Sequence, residues 1–87
     1  MNTQTEINTF CENVKRLRKY SRLSKEEMAK ILGIGVASLG NIENVTLPPK
    51  LNCEVLFRIQ AVFHIPVRMM LSKILESKDI SYPRVNR

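Results

Sequence analysis

Apolar residues recur at spacings of three and four through most of this chain, which is the period of a helix with one buried face. The first such series is Ile7, Phe10, Val14 and Leu17, and it predicts a helix over residues 4–20. Similar series predict four further helices, over residues 25–32, 36–44, 53–63 and 66–76. The sequence therefore predicts an all-α fold with five helices.

Two capping signals and one glycine mark the ends of the first two helices. Thr3 with Glu6, and Ser24 with Glu27, have the spacing of a capping box, in which two side chains bind free N–H groups of the first turn. Gly33 follows the second helix and is the residue best able to adopt the left-handed conformation that closes a helix. These signals predict a tight turn directly after residue 32.

The third helix is predicted to be short and to depend on packing. Gly35 is a tolerable N-cap, and Leu39 and Ile42 share one face. Gly40, inside the helix, costs about 1 kcal/mol relative to alanine. We therefore expect Leu39 and Ile42 to hold this helix against the core.

Two stretches lack helical periodicity. Residues 45–52 contain Pro48 and Pro49, which predict an extended loop. Residues 77–87 predict a mobile basic tail, so that a single domain is expected to occupy residues 1–76.

The charge balance of the chain favours an anionic partner. Fourteen Lys and Arg against eight Asp and Glu give a net charge of +6, which attracts nucleic acid, an anionic membrane surface or an acidic protein. The hydrophobic share of 44% and the charged share of 25% are ordinary for a folded domain. No apolar run reaches the roughly 18 residues of a membrane span, and residues 1–20 do not resemble a signal peptide. We expect a cytoplasmic protein without a membrane partner.

The sequence offers no metal site, no cofactor site and no catalytic constellation. Cys11 and Cys53 are far apart in the chain, and His64 is the only further metal-binding companion, so we expect two reduced cysteines in or near the core. His64 has no paired nucleophile, and no glycine loop suits a phosphate-bearing cofactor or a nucleotide. We therefore expect that the protein is not an enzyme.

The predicted helices over residues 25–32 and 36–44, joined by a tight glycine-containing turn, have the lengths of a helix-turn-helix. The pattern alone also suits other small helical bundles. Its individual residues resemble the Xre-like family of phage-repressor helix-turn-helix domains. The resemblance covers residues 10–71 and is carried by Leu17-Arg18-Lys19, Leu23-Ser24-Lys25-Glu26-Glu27-Met28-Ala29, Leu32-Gly33-Ile34, Leu39, Ile42-Glu43-Asn44, Leu56-Phe57-Arg58-Ile59-Gln60-Ala61-Val62-Phe63-His64-Ile65 and Met70-Leu71.

The resemblance implies a five-helix lambda-repressor-like domain that binds double-stranded DNA as a homodimer, with the third helix as the recognition helix. It implies that Lys25 and Asn44 contact phosphates, to which we add the backbone N–H near Gly35 and the side chain of Lys50. Glu43 resembles the near-core acidic residue of the family, and we expect it to form an internal ion pair with Arg18 or another cation of the first helix.

The third helix departs from the family, which usually offers Arg, Gln, Lys or Thr to base edges. Here none of the outward positions is positively charged, although Asn41 could bind adenine, Val36 and Ala37 could contact thymine methyls, and Ser38 could bind a base or a phosphate. We expect a preference for A·T-rich DNA. The predicted DNA-binding residues are Lys25, Gly35, Val36, Ala37, Ser38, Asn41, Asn44 and Lys50.

The predicted fifth helix carries more apolar residues than a short helix buries within its own domain. We expect it to contribute a dimer interface through Val67, Met70, Leu71 and Ile74, although some of these side chains must also cover the core. Taken together, the sequence favours a sequence-specific DNA-binding transcriptional regulator of the repressor type. The alternative is a protein-interaction module on the same fold, similar to an antitoxin or an anti-repressor, in which the third helix has lost base readout.

Overall fold

The structure is a computed structural model that describes residues 3–44 and 53–80, without the side chains of Thr3 and Cys53. Its longest element is helix α1, Thr3–Tyr20. Four further α-helices and one 3-10 helix follow in the described residues, which contain no β-strand. Their bounds are α2 Lys25–Leu32, α3 Val36–Asn44, α4 Cys53–Phe63, α5 Val67–Ser72 and the 3-10 helix Ser77–Asp79. The all-α prediction is confirmed, and α1 to α4 begin and end within one residue of the predicted bounds.

One core joins all five helices. Helix α1 packs against α3 and α5, α2 packs against α3 and α4, and α4 packs against α5. The helical periodicity correctly predicted the buried face of α1, and the predicted burial of Cys11 is also confirmed, whereas the side chain of Cys53 lies outside the described residues. The buried apolar residues are Phe10, Cys11, Val14, Leu17, Met28, Ala29, Leu32, Leu39, Ile42, Val55, Ile59, Phe63, Ile65, Met70 and Leu75.

Local hydrogen bonds account for the ends of α1 and α2. The predicted capping box is present at α2: Glu27 N–H donates to Ser24 Oγ at 3.0 Å, and Ser24 N–H donates to Glu27 Oε1 at 2.8 Å. The predicted Thr3–Glu6 box falls on a side chain outside the described residues. Two residues after the end of α1 at Tyr20, the chain turns at the left-handed Arg22, which has a φ of 59°. Leu23 N–H then donates to the Arg18 carbonyl at 3.0 Å, a pattern that satisfies a free carbonyl of the last turn.

The predicted extent of α5, residues 66–76, was wrong, because the helix ends at Ser72. The fully buried Asn13 of α1 explains the early end. Its Nδ2 donates to the carbonyls of Met70 and Lys73, both at 2.8 Å, and its Oδ1 accepts from Leu75 N–H at 2.8 Å. A continuing helix would need the Met70 carbonyl and the Leu75 N–H for its own bonds. The buried amide therefore replaces the last turn and holds an extended segment against α1.

The packed domain continues beyond residue 76, although the sequence predicts a mobile tail over residues 77–87. Ser77–Asp79 form the 3-10 helix, and the half-buried Ile80 packs against the core. Asp79 accepts from Glu76 N–H at 3.0 Å and lies 3.3 Å from Lys73 Nζ. The hydrogen bond from Glu76 is the main cause that lowers the pKa of the Asp79 carboxyl, with Lys73 adding to it. Residues 81–87 of the predicted tail lie outside the described residues.

Candidate nucleic-acid interface

The turn between α2 and α3 is fixed by a glycine on one side and an arginine on the other. Gly33 has a φ of 73°, and Ile34 N–H donates to the Ala29 carbonyl at 3.0 Å, so the predicted left-handed end of α2 is confirmed. Arg58 of α4 lies against the turn and donates from Nη1 to the Ile31 carbonyl at 3.3 Å. A Cβ at position 33 would lie 3.0 Å from Arg58 Nε. Both the conformation and the space at this turn therefore favour glycine.

Helix α3 buries one face and exposes the other. Leu39, Ile42 and Glu43 are buried, and Leu39 N–H donates to the Gly35 carbonyl at 3.0 Å, as expected for an N-cap at Gly35. The exposed residues are Val36, Ala37, Ser38, Asn41 and Asn44. These are the positions that the sequence analysis selected on this helix, and the structure gives their side chains access to a partner.

An ion pair ties α3 to α1. Arg18 Nε lies 2.7 Å from Glu43 Oε2, and Arg18 Nη2 donates to Glu43 Oε1 at 3.1 Å, so the pair is bidentate. The side chains of Arg18 and Glu43 are only 16% and 5% exposed. The hydrogen bond to Glu43 is the main cause that raises the pKa of Arg18. The predicted internal partner of Glu43 is confirmed, and neither group is free to contact a ligand.

The basic residues divide into paired and unpaired side chains. Arg16, Arg18 and Arg58 form ion pairs with carboxylates at 2.7–3.1 Å. Lys15 and the exposed Arg68 of α5 form no ion pair with any residue that the structure describes. The same is true of four exposed cations that lie close together in the chain: Lys19, Arg22, Lys25 and Lys30. These four, hereafter the unpaired cations, lie between the last turn of α1 and the last turn of α2. Positive charge that is available to a partner is therefore concentrated beside α2.

Of the unpaired cations, Lys25 is among the residues that the sequence predicts to bind DNA. The other three, Lys19, Arg22 and Lys30, are not among the residues that the sequence predicts to bind DNA. Their spacing to apolar neighbours predicts exposure, but it does not show which basic side chains form ion pairs. That distinction needs the positions of carboxylates from other helices.

The remaining predicted site residues are placed as follows. Lys50 lies outside the described residues. Met70 is 0% exposed and belongs to the core of its own chain, so it offers no surface to a second copy. Val67 and Leu71 are half-buried, and Ile74 is 43% exposed, in the extended segment rather than on a helix. The short α5 therefore presents much less apolar surface than the sequence analysis expected.

Residues 3–44 and 53–80 contain neither a candidate metal site nor a candidate membrane span. They contain no group of three His, Cys, Asp or Glu side chains that could hold a metal ion. None of the helices in these ranges combines the length and the apolar character that crossing a membrane requires.

No family model, curated protein or solved structure that was compared with the chain matches it. The features of the molecule that indicate a function are therefore the geometry and charge of α2 and α3.

Proposed function

We propose that this protein is a sequence-specific DNA-binding transcriptional regulator of the lambda-repressor-like type. In this proposal α2 and α3 form a helix-turn-helix, and α3 enters the major groove. One observation carries it: an exposed, uncharged face of α3 lies next in the chain to a helix flanked by unpaired cations. A duplex requires both features, a helix surface for base edges and positive charge for phosphates.

The unpaired cations would supply most of the affinity. Lys25 is in the first turn of α2, where its ammonium group can meet a phosphate near the helix N-terminus. Each phosphate contact that releases a counterion changes the logarithm of the binding constant by about −0.9 per decade of salt. Four such contacts would give a slope of about −3 to −4 for each copy of the chain.

Helix α3 would supply the base readout. The amide of Asn41 can bind adenine through two hydrogen bonds, which discriminates by about 1–3 kcal/mol against a wrong base. Val36 and Ala37 are exposed apolar side chains that suit thymine methyls. The buried ion pair between Arg18 and Glu43 supports this role, because it fixes α3 on α1 while α3 contacts the groove.

A second candidate function is a protein-interaction module on the same fold, and one observation favours it. The exposed face of α3 carries no positive charge, so this helix itself adds nothing to phosphate binding. A module of this kind would use α3 to bind another protein, and its unpaired cations would serve solubility or an acidic partner.

The test is selection of bound duplexes from a random DNA pool, followed by polarisation measurements on the selected sequence and a shuffled control at several salt concentrations. We expect an A·T-rich selected site and a steep salt dependence. Lys25→Ala should weaken binding to both duplexes equally, whereas Asn41→Ala should reduce the preference between them. Arg68→Ala is the matched control, because it removes an exposed cation of α5, a helix that packs mainly against α1 and α4.

Three results would contradict the proposal. The first is absence of binding to every duplex by a folded sample, which would favour the protein-interaction module. The second is an affinity that hardly changes with salt. The third is an equal loss from Lys25→Ala and Arg68→Ala, because the contacts would then depend on net charge rather than on the position of the cation.

A further inference from the structure

Helix α4 has an outer face that no other element of residues 3–44 and 53–80 covers. Its core-facing side chains include Val55, Ile59 and Phe63. The opposite face carries Glu54, Phe57 and Ala61, whose spacing of three and four residues puts them in one row along the helix. His64 follows directly after the last residue of α4, at the end of this row, and all four residues are exposed. Phe57 is 66% exposed, the highest exposed fraction among the large apolar side chains of the described residues.

A shallow depression lies beside Phe57. It is lined by Phe57, Gln60, Ala61, His64 and Pro66, among which Ala61 has the smallest side chain. His64 ends α4 in a left-handed conformation, with a φ of 61°, and Pro66 precedes α5. One face therefore carries a projecting aromatic ring and, directly beside it, a recess.

We propose that this face binds a second copy of the same chain, with the two α4 helices antiparallel about a two-fold axis. If the two-fold axis crosses α4 halfway between Phe57 and Ala61, each Phe57 lies opposite Ala61 of the other copy. Both pairs have the same midpoint, residue 59 of the sequence, so the same register places each Glu54 opposite His64 of the other copy. Glu54 also pairs with Arg58 of its own chain at 2.8 Å, and its carboxylate would be shared between the two partners. Large side chains then face small ones, and a carboxylate faces an imidazole, twice by symmetry.

Self-complementarity is the reason to choose a second copy over another partner. A two-fold interface must match itself, so each projecting group needs its recess on the same face, and α4 has both. The charges follow the same rule, since the row has its carboxylate at one end and its imidazole at the other. The overall charge of +6 would favour an acidic partner, but the face itself carries no surplus of positive side chains to receive one.

This inference does not depend on DNA binding, and it replaces α5 as the expected dimer interface. Because Met70 is buried and α5 ends at Ser72, that helix has little apolar surface available to a partner, whereas α4 is longer and has eleven residues. One helix face is smaller than a standard interface, so we expect weak association, with a dissociation constant on the order of 10 µM.

The test is sedimentation of the full chain without DNA over a range of concentrations. We expect a reversible monomer–dimer equilibrium. Phe57→Ala should weaken it at least about tenfold, which corresponds to about 1.4 kcal/mol, and Ala61→Arg should weaken it similarly by filling the recess. Val36→Ala is the matched control, because it shortens another exposed apolar side chain, 42% exposed, on α3. Circular dichroism checks that each variant is folded.

A mixing experiment tests the register. Glu54→Lys alone replaces the carboxylate opposite each His64 with a cation, and His64→Asp alone places two carboxylates opposite each other, so each variant should dimerise less than the parent. Aspartate tolerates the left-handed conformation of position 64. A mixture of the two variants should form mixed dimers, since the introduced lysine then faces the introduced aspartate and the native Glu54 faces the native His64.

Four results would overturn the proposal: a chain that stays monomeric at millimolar concentration, a dimer that survives both Phe57→Ala and Ala61→Arg, an equal loss from Val36→Ala, or a mixture that associates no better than its components. A monomer would leave the face to a different protein. Because no DNA is present, none of these results bears on the role proposed for α3.

Discussion

Gly33 and Gly40 are expected to respond in opposite directions to the same substitution by alanine. Gly40 lies inside α3 in ordinary helical conformation, and a Cβ at this position would meet no atom within 4 Å. Gly33 has a φ of 73°, and a Cβ there would lie 3.0 Å from Arg58 Nε and 3.1 Å from Arg58 Cζ. The fold therefore does not require glycine at position 40, whereas it requires one at position 33.

The magnitudes follow from the backbone. Alanine in a helix interior is favoured over glycine by about 0.5–1 kcal/mol, so Gly40→Ala should raise the free energy of unfolding by that amount. Alanine in the left-handed region costs about 1–2 kcal/mol, so Gly33→Ala should lower it by at least as much. For a domain of this size about 1 kcal/mol shifts the Tm by 4–8 °C. The two variants should thus differ by roughly 10 °C.

Urea unfolding and thermal melts followed by circular dichroism measure both values. Repeating Gly33→Ala in an Arg58→Ala background separates the cost of the backbone from the contact with Arg58, as in a double-mutant cycle. The part of the loss that belongs to the contact should disappear in that background, while the part that belongs to the backbone should remain.

Destabilisation by Gly40→Ala would refute the reasoning, because it would mean that α3 packs closely against something at this position. A neutral effect of Gly33→Ala would refute the left-handed turn between α2 and α3. DNA binding gives an independent readout: a Gly40→Ala protein that is more stable but binds DNA less well would indicate that the missing side chain serves the partner and not the fold.

Three further predictions concern the buried Glu43 and Asn13 and the carboxylate of Asp79. Glu43→Gln should lower the free energy of unfolding by about 2–4 kcal/mol in urea titrations, because it leaves the mostly buried Arg18 without a counter-charge. Glu12→Gln, in an exposed ion pair, should lower it by less than about 1 kcal/mol. Similar losses from the two variants would argue against a special role of the buried pair. Asn13→Ala should cost about 2–4 kcal/mol and should speed amide exchange in residues 73–75, since it leaves the end of α5 without its partners, and unchanged exchange there would contradict the account of that end. The pKa of Asp79 is lowered in the folded state, so its contribution is present above the ordinary value of about 3.9 and is lost as the pH falls through the lower folded value. NMR titration of residues 76–80 should show this loosening in acid, and Asp79→Asn should abolish its pH dependence.

Local signals in the sequence were sufficient for most of the secondary structure. Ser24, Glu27 and Gly33 act on backbone groups within one turn, and the ends of α2 that they predicted are confirmed. Helical phase likewise predicted which side of α3 is exposed. The pairing of Arg18 with Glu43 came from the family resemblance, and the structure confirms it with two short contacts.

Contacts between distant parts of the chain decided the rest. The end of α5 depends on hydrogen bonds from Asn13 to groups up to 62 residues away, and no residue near position 72 signals it. The division of basic side chains into paired and unpaired, and the bare outer face of α4, likewise depend on which helices pack together.

The sequence by itself determined where helices begin, where most of them end and which of their faces avoid water, because those properties arise from interactions within a few residues. Only the tertiary structure decided where α5 stops, which cations are available to a partner and where Phe57 lies. The physical reason is that a buried amide, a carboxylate or a covering helix acts through space, and the chain brings it into place only when the core has formed.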